Sequence, residues 1–84
     1  MNIVVEVKEL ITKSVEEAGY FVDEVLYVKE GQLNFLRVII DKIGTVDVDD
    51  CVVVSKIINP LLDEKNLIEE SYILDVCSKE KGCE

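Results

Sequence analysis

The side chains best suited to chemistry in this chain are carboxylates. Asp47-Val48-Asp49-Asp50 is the densest acidic cluster, and Asp41 lies a short way upstream. A divalent cation is the obvious ligand to test against them. As a calcium loop the segment fails, because Val52 stands where the tight-turn glycine is needed and Ile58 where the bidentate glutamate is needed. Capping of a helix and a solvated acidic face account for the same residues without a metal. The three cysteines offer little more. Cys51 falls in the first turn of a predicted helix, where Asp49 and Asp50 oppose thiolate formation, and it lies on that helix's apolar stripe. Cys77 and Cys83 lack metal-ligand spacing; a bond between them is sterically conceivable, but two inert thiols are expected. The chain has no histidine, so a nucleophile would lack its usual base and a metal its commonest ligand. Neither an enzyme nor a cofactor or metal site is expected.

Hydrophobic periodicity predicts the elements that position these groups. Ile3, Val7, Leu10, Ile11, Val15 and Ala18 recur at helical spacing, with Glu6, Glu9, Lys13, Glu16 and Glu17 opposite. Asn2 is placed to cap this helix, and Gly19 stands where a left-handed residue ends one. Tyr20 to Lys29 reads as a strand, Glu30-Gly31-Gln32-Leu33 as a hairpin connection and Asn34 to Lys42 as a second strand. In the second strand Leu36, Val38 and Ile40 face one way, and Phe35, Arg37, Ile39 and Asp41 the other. Asp47 reads as the N-cap of a second helix running to about Leu62, with Cys51, Val54, Ile58, Leu61 and Leu62 inward. Pro60 is expected to kink or loosen its last turn. An acidic connector leads to a third strand, Tyr72 to Cys77. The expected fold is α+β, a two-layer sandwich in α-β-β-α-β order, with both helices on one face of a three-stranded sheet. The position of the third strand stays open.

Composition narrows the function classes. The 84 residues carry 18 Asp+Glu against 9 Lys+Arg, a net charge of -9. One small domain fits that length. The charge argues against unaided binding to RNA or to anionic membranes, and no two glycines have the spacing of an RNA-clamping GxxG loop. No apolar run is long enough to span a membrane, and Met1 to Lys13 has no basic, cleavable leader. One further feature stands out on the second helix. Val52 falls among Asp49, Lys56, Asn59 and Asp63, on the face away from the core, with Val53 at its edge. Single surface valines need no explanation; a partner or dimer surface is the sharper alternative.

The second half also carries a family pattern. Leu36-Arg37-Val38-Ile39-Ile40-Asp41 is followed by Val48-Asp49-Asp50-Cys51, then Val54-Ser55, Leu62-Asp63-Glu64 and Tyr72-Ile73-Leu74-Asp75-Val76. With Gly19-Tyr20 closing the first helix, the chain from Ile3 to Val76 resembles the N-terminal domain of the ribosome maturation factor RimP family. The resemblance implies an α/β domain of a cytoplasmic bacterial protein. It implies no catalysis, and binding to the immature small ribosomal subunit through a ribosomal protein as well as RNA. The family's Ser-Ser-Pro-Gly stretch is replaced by Cys77-Ser78-Lys79-Glu80-Lys81-Gly82. Its second, SH3-like domain has no room in 84 residues. The expectation is therefore a truncated or stand-alone relative, with a single domain over residues 1–77 and a polar tail over 78–84. Asp41, Asp47, Asp49, Asp50, Asp63 and Glu64 are expected to attract a basic ribosomal protein. Arg37, Val52, Val53 and Lys56 complete the candidate binding set, and a self-associating or protein-interaction module, a homodimer included, is the alternative reading.

Overall fold

The computed structural model describes residues 3–68 and 70–79. Helix α1 spans Ile3–Glu17 and buries Val7, Ile11 and Val15. Its end is a Schellman motif: the Gly19 amide donates to the Glu16 carbonyl at 3.0 Å and the Tyr20 amide to the Val15 carbonyl at 3.2 Å. That closure needs a left-handed residue, and Gly19 supplies it at φ +95°. The predicted Asn2 cap lies outside the described residues.

The hairpin follows at once. Strand β1 (Phe21–Glu30) pairs antiparallel with β2 (Leu33–Asp41), and the Glu30–Leu33 pair leaves a two-residue loop, Gly31-Gln32. Only the first loop residue has positive φ (Gly31, +63°), which marks a type II′ turn matched to strand twist. A register shift between Val22 and Glu24 leaves Asp23 as a bulge. Along β2 the alternation is as expected: Leu36, Val38 and Ile40 are fully buried, and Phe35, Arg37, Ile39 and Asp41 are half-buried.

Helix α2 spans Val48–Lys65. It runs one turn beyond the expected end near Leu62 and is not broken at Pro60. Pro60 is exposed, while Leu61 and Leu62 directly after it pack on the core, so tertiary burial outweighs the one lost hydrogen bond. The helix stops at Asn66, in left-handed conformation (φ 48°), whose amide reaches the Leu62 carbonyl at 2.8 Å. Strand β3 covers Ile73–Ser78, one residue later than expected, and pairs in parallel with β2. The sheet order is β1-β2-β3, which makes β2 central and settles the position the sequence left open. Lys79 extends the ladder through its amide to the Ile40 carbonyl, at 2.9 Å.

One core joins both helices to one face of the sheet. It contains Val7, Ile11 and Val15 of α1, Val54, Ile58 and Leu62 of α2, Val25, and Leu36, Val38 and Ile40. Val46, between β2 and α2, is also buried, as is Ile68 in the connector. Cys77 is buried and disulfide-bonded, where an inert thiol was expected; Cys83 lies outside the described residues.

Two substitutions test this account by chemical denaturation. Leu36→Ala removes a fully buried side chain from the central strand and is expected to cost about 2–5 kcal/mol. Gly19→Ala leaves every core contact in place but forces a side chain into a left-handed turn, at a cost of roughly 1–2 kcal/mol.

Candidate functional site

The acidic cluster lies at the N-terminus of α2, and its members do different things. Asp47 is the N-cap (φ -114°, ψ -174°). Its Oδ1 accepts from the Asp50 amide at 3.1 Å, and its own amide donates to Asp50 Oδ2 at 3.0 Å. This is a reciprocal capping box with aspartate at both positions. It satisfies amides that the first helical turn cannot.

Asp50 then reaches beyond its own helix. The Tyr20 hydroxyl donates to Asp50 Oδ1 at 2.6 Å, and Lys42 Nζ lies 2.8 Å from Oδ2. The Lys42 ammonium also sits 5.9 Å from the centroid of the Tyr20 ring. One carboxylate therefore joins the residue before β1, the residue after β2 and the start of α2. Its side chain is only 14% exposed. Hydrogen bonds from Lys42, Tyr20 and the Asp47 amide hold its carboxyl well below the usual range, against the opposing effect of burial. The same bond to Asp50, with burial second, pushes the Tyr20 phenol up to about 12. Lys42 is raised as well, chiefly by its bond to Asp50.

Around this clamp lies an exposed rim. Asp47 and Asp49 point to solvent. Between and beside them Ile43 is 93% exposed and Val48 77%. Asp41 is half-buried, and its Oδ1 accepts from the Lys42 amide at 2.9 Å. The end of α2 next to β2 thus presents uncovered aliphatic side chains among carboxylates.

The remaining candidates are spread out. Val52, Val53 and Lys56 are exposed along the outer face of α2. Asp63 and Glu64 are exposed in its last turns, about 20 Å from Asp49 at 1.5 Å per residue. Asp63 belongs to a separate open groove with Asn59, Glu70, Ser71, Tyr72 and Leu74. Arg37 is on the opposite face of the sheet. It pairs with Glu30 at 2.9 Å and Asp75 at 3.6 Å and lies 5.4 Å over the Phe35 ring. Sequence reasoning missed Tyr20 and Lys42 and read Asp50 as a surface charge. The available signal was Asp47-x-x-Asp50, a capping box whose second acid has a spare oxygen for a partner. Among the described residues no group of three or more His, Cys, Asp or Glu is arranged to hold a metal ion. No described helix is long and apolar enough to cross a membrane.

The sequence model of the RimP N-terminal domain fits residues 10–79. The matched span takes in the second half of α1, the hairpin, all of α2 and β3. It includes Tyr20, Lys42, Asp47 and Asp50.

The clamp makes stability depend on pH at both extremes. The Tyr20 phenol titrates near 12 when folded and near 10 when unfolded, so its contribution is complete below about pH 10 and is lost as pH rises toward 12. Lys42, also raised, loses its contribution in the same direction. Asp50 is depressed, so its contribution is complete above the unfolded value of about 3.9 and is lost as pH falls below it. Tyr20→Phe keeps the ring and removes the donor. Urea titrations should show a loss of about 1–2 kcal/mol at neutral pH and a shallower decline between pH 10 and 12 than in the parent chain.

Proposed function

The chain belongs to the RimP N-terminal domain family, a family of ribosome maturation factors, and from that premise we propose that it is a non-enzymatic binding module acting in maturation of the small ribosomal subunit. Its partner in this reading is a basic ribosomal protein, or the immature subunit through such a protein, in the cytoplasm. The observation that carries the proposal is the rim at the start of α2: Asp41, Asp47 and Asp49 around the exposed Ile43 and Val48. A lysine- or arginine-rich segment with an apolar residue among its cations fits that arrangement. Asp63 and Glu64 extend the same sign of charge along α2, and the net charge of -9 adds long-range attraction that speeds encounter more than it strengthens the complex. Asp50 supports the rim from beneath by fixing the helix start.

RNA enters this reading only as part of the particle. The basic side chains are scattered, and Arg37 is occupied by Glu30 and Asp75, so a free RNA strand would meet mostly carboxylates.

Sedimentation with small ribosomal subunits at rising salt tests the reading. Co-sedimentation is expected at low ionic strength and should weaken as salt screens the charges. Ile43→Ser and the double change Asp63→Lys with Glu64→Lys are expected to lower affinity, the first by loss of apolar contact at every salt concentration and the second mainly at low salt. Absence of co-sedimentation even at low salt would sink the proposal.

A further inference from the structure

Helix α2 is apolar on two sides although only one side has a layer to cover. Val54, Ile58 and Leu62 face the core and are buried. On the opposite side Val52 and Val53 are each 46% exposed, beside the half-buried Ile57 and the exposed Pro60. At 100° per residue, Asp49, Val52, Val53 and Lys56 share one arc of the helix, centred opposite the core stripe. Among the described residues neither Asp49 nor Lys56 takes part in a salt bridge.

The order of these four residues is what selects an occupant. They are symmetric about the midpoint between Val52 and Val53. A twofold axis through that point, perpendicular to the helix, makes two copies of α2 antiparallel. Asp49 then meets the second copy's Lys56, a contact that occurs twice, and Val52 and Val53 of the two copies cluster about the axis. A purely basic partner would be drawn to Asp49 and repelled by Lys56, and a purely acidic one the reverse. The same helix in reverse order offers both charges at the required spacing, as an isologous interface demands.

We propose that the outer face of α2 is a homodimer contact, built on Val52 and Val53 and set in register by reciprocal Asp49–Lys56 pairs. The inference does not rest on the ribosomal reading, although the two surfaces share Asp49. The contact covers about three helical turns, the low end of interface size, so association is weak. Each copy carries a net charge of -9, and this repulsion makes the dimer stronger at moderate salt than at low salt. The other charged groups on the exposed side of the helix, Asp63 and Glu64, add to that repulsion rather than to the pairing.

Sedimentation equilibrium of the whole chain, at concentrations up to about 1 mM, tests this at two ionic strengths. A monomer–dimer equilibrium is expected. Val52→Asp should abolish it, and Val53→Ser should weaken it; both sites are exposed, and circular dichroism confirms that the variants fold. Asp49→Lys is the decisive variant. It lowers the net charge, so it would strengthen association if overall repulsion alone governed it. The proposed register predicts instead a loss of at least fivefold, because two lysines then face each other. The double variant Asp49→Lys with Lys56→Asp restores complementarity and should return affinity to within about threefold of the parent. A monomer at every concentration, a tighter Asp49→Lys dimer, or no recovery in the double variant would each overturn the proposal.

Discussion

The Asp50 carboxylate is the interaction on which the arrangement of this domain depends. It has two oxygens and receives three donors: the Tyr20 phenol, the Lys42 ammonium and the Asp47 amide. Each donor belongs to a different part of the chain. Tyr20 is delivered by the closure of α1 at Gly19, Lys42 by the end of the central strand, and Asp47 by the cap of α2. A charged group that is 14% exposed is costly unless its hydrogen bonds are made. The three parts must therefore come together for any of them to be comfortable. The depressed pKa of Asp50 and the raised ones of Tyr20 and Lys42 are the thermodynamic trace of that mutual dependence.

The clamp also divides the acidic cluster into two kinds of carboxylate. Asp50 is turned inward and neutralised by Lys42. Asp47 caps with one oxygen and is otherwise in water, and Asp49 is wholly outward. Fixing the first kind gives the second kind a definite position. The same constraint holds the segment after β2, where Val46 is buried and Ile43 is left uncovered. In the reading offered above, recognition depends on side chains that are exposed but not loose, because the backbone under them is capped, bonded and packed.

Much of this was legible in the sequence wherever the signal was local. The alternation of Leu36, Val38 and Ile40, the left-handed Gly19, the Asp47 cap and the inward stripe of α2 all follow from period and residue type. So do the element order and the two layers. What was not legible depended on residues distant in sequence. Tyr20 and Asp50 are 30 positions apart, and neither periodicity nor propensity links them, so Asp50 looked like one more surface acid. Pro60 suggested a kinked or loosened last turn because propensity counts the missing amide and not the burial of Leu61 and Leu62. The place of β3 could not be read from its own residues, since its inward face suits either edge of the hairpin. Among the candidate binding residues, Arg37 shows the same limit: its strand position was clear, but its engagement by Glu30 and Asp75 was not.

The parallel pairing of β2 with β3 has a consequence for the order of assembly. Phe35 and Leu36 pair with Ile73 and Leu74, across a stretch that includes the whole of α2. The hairpin partner, by contrast, is joined through two loop residues. Closing the short loop is fast and closing the long one is slow. β1 and β2 can zip while one edge of β2 is still bare, because the strand that fills that edge lies beyond α2 in the chain. The last strand to dock is also held by a single neighbour and by few residues. In hydrogen exchange it should be the first to open, which makes β3 the hinge of the domain's local unfolding rather than part of its most protected unit.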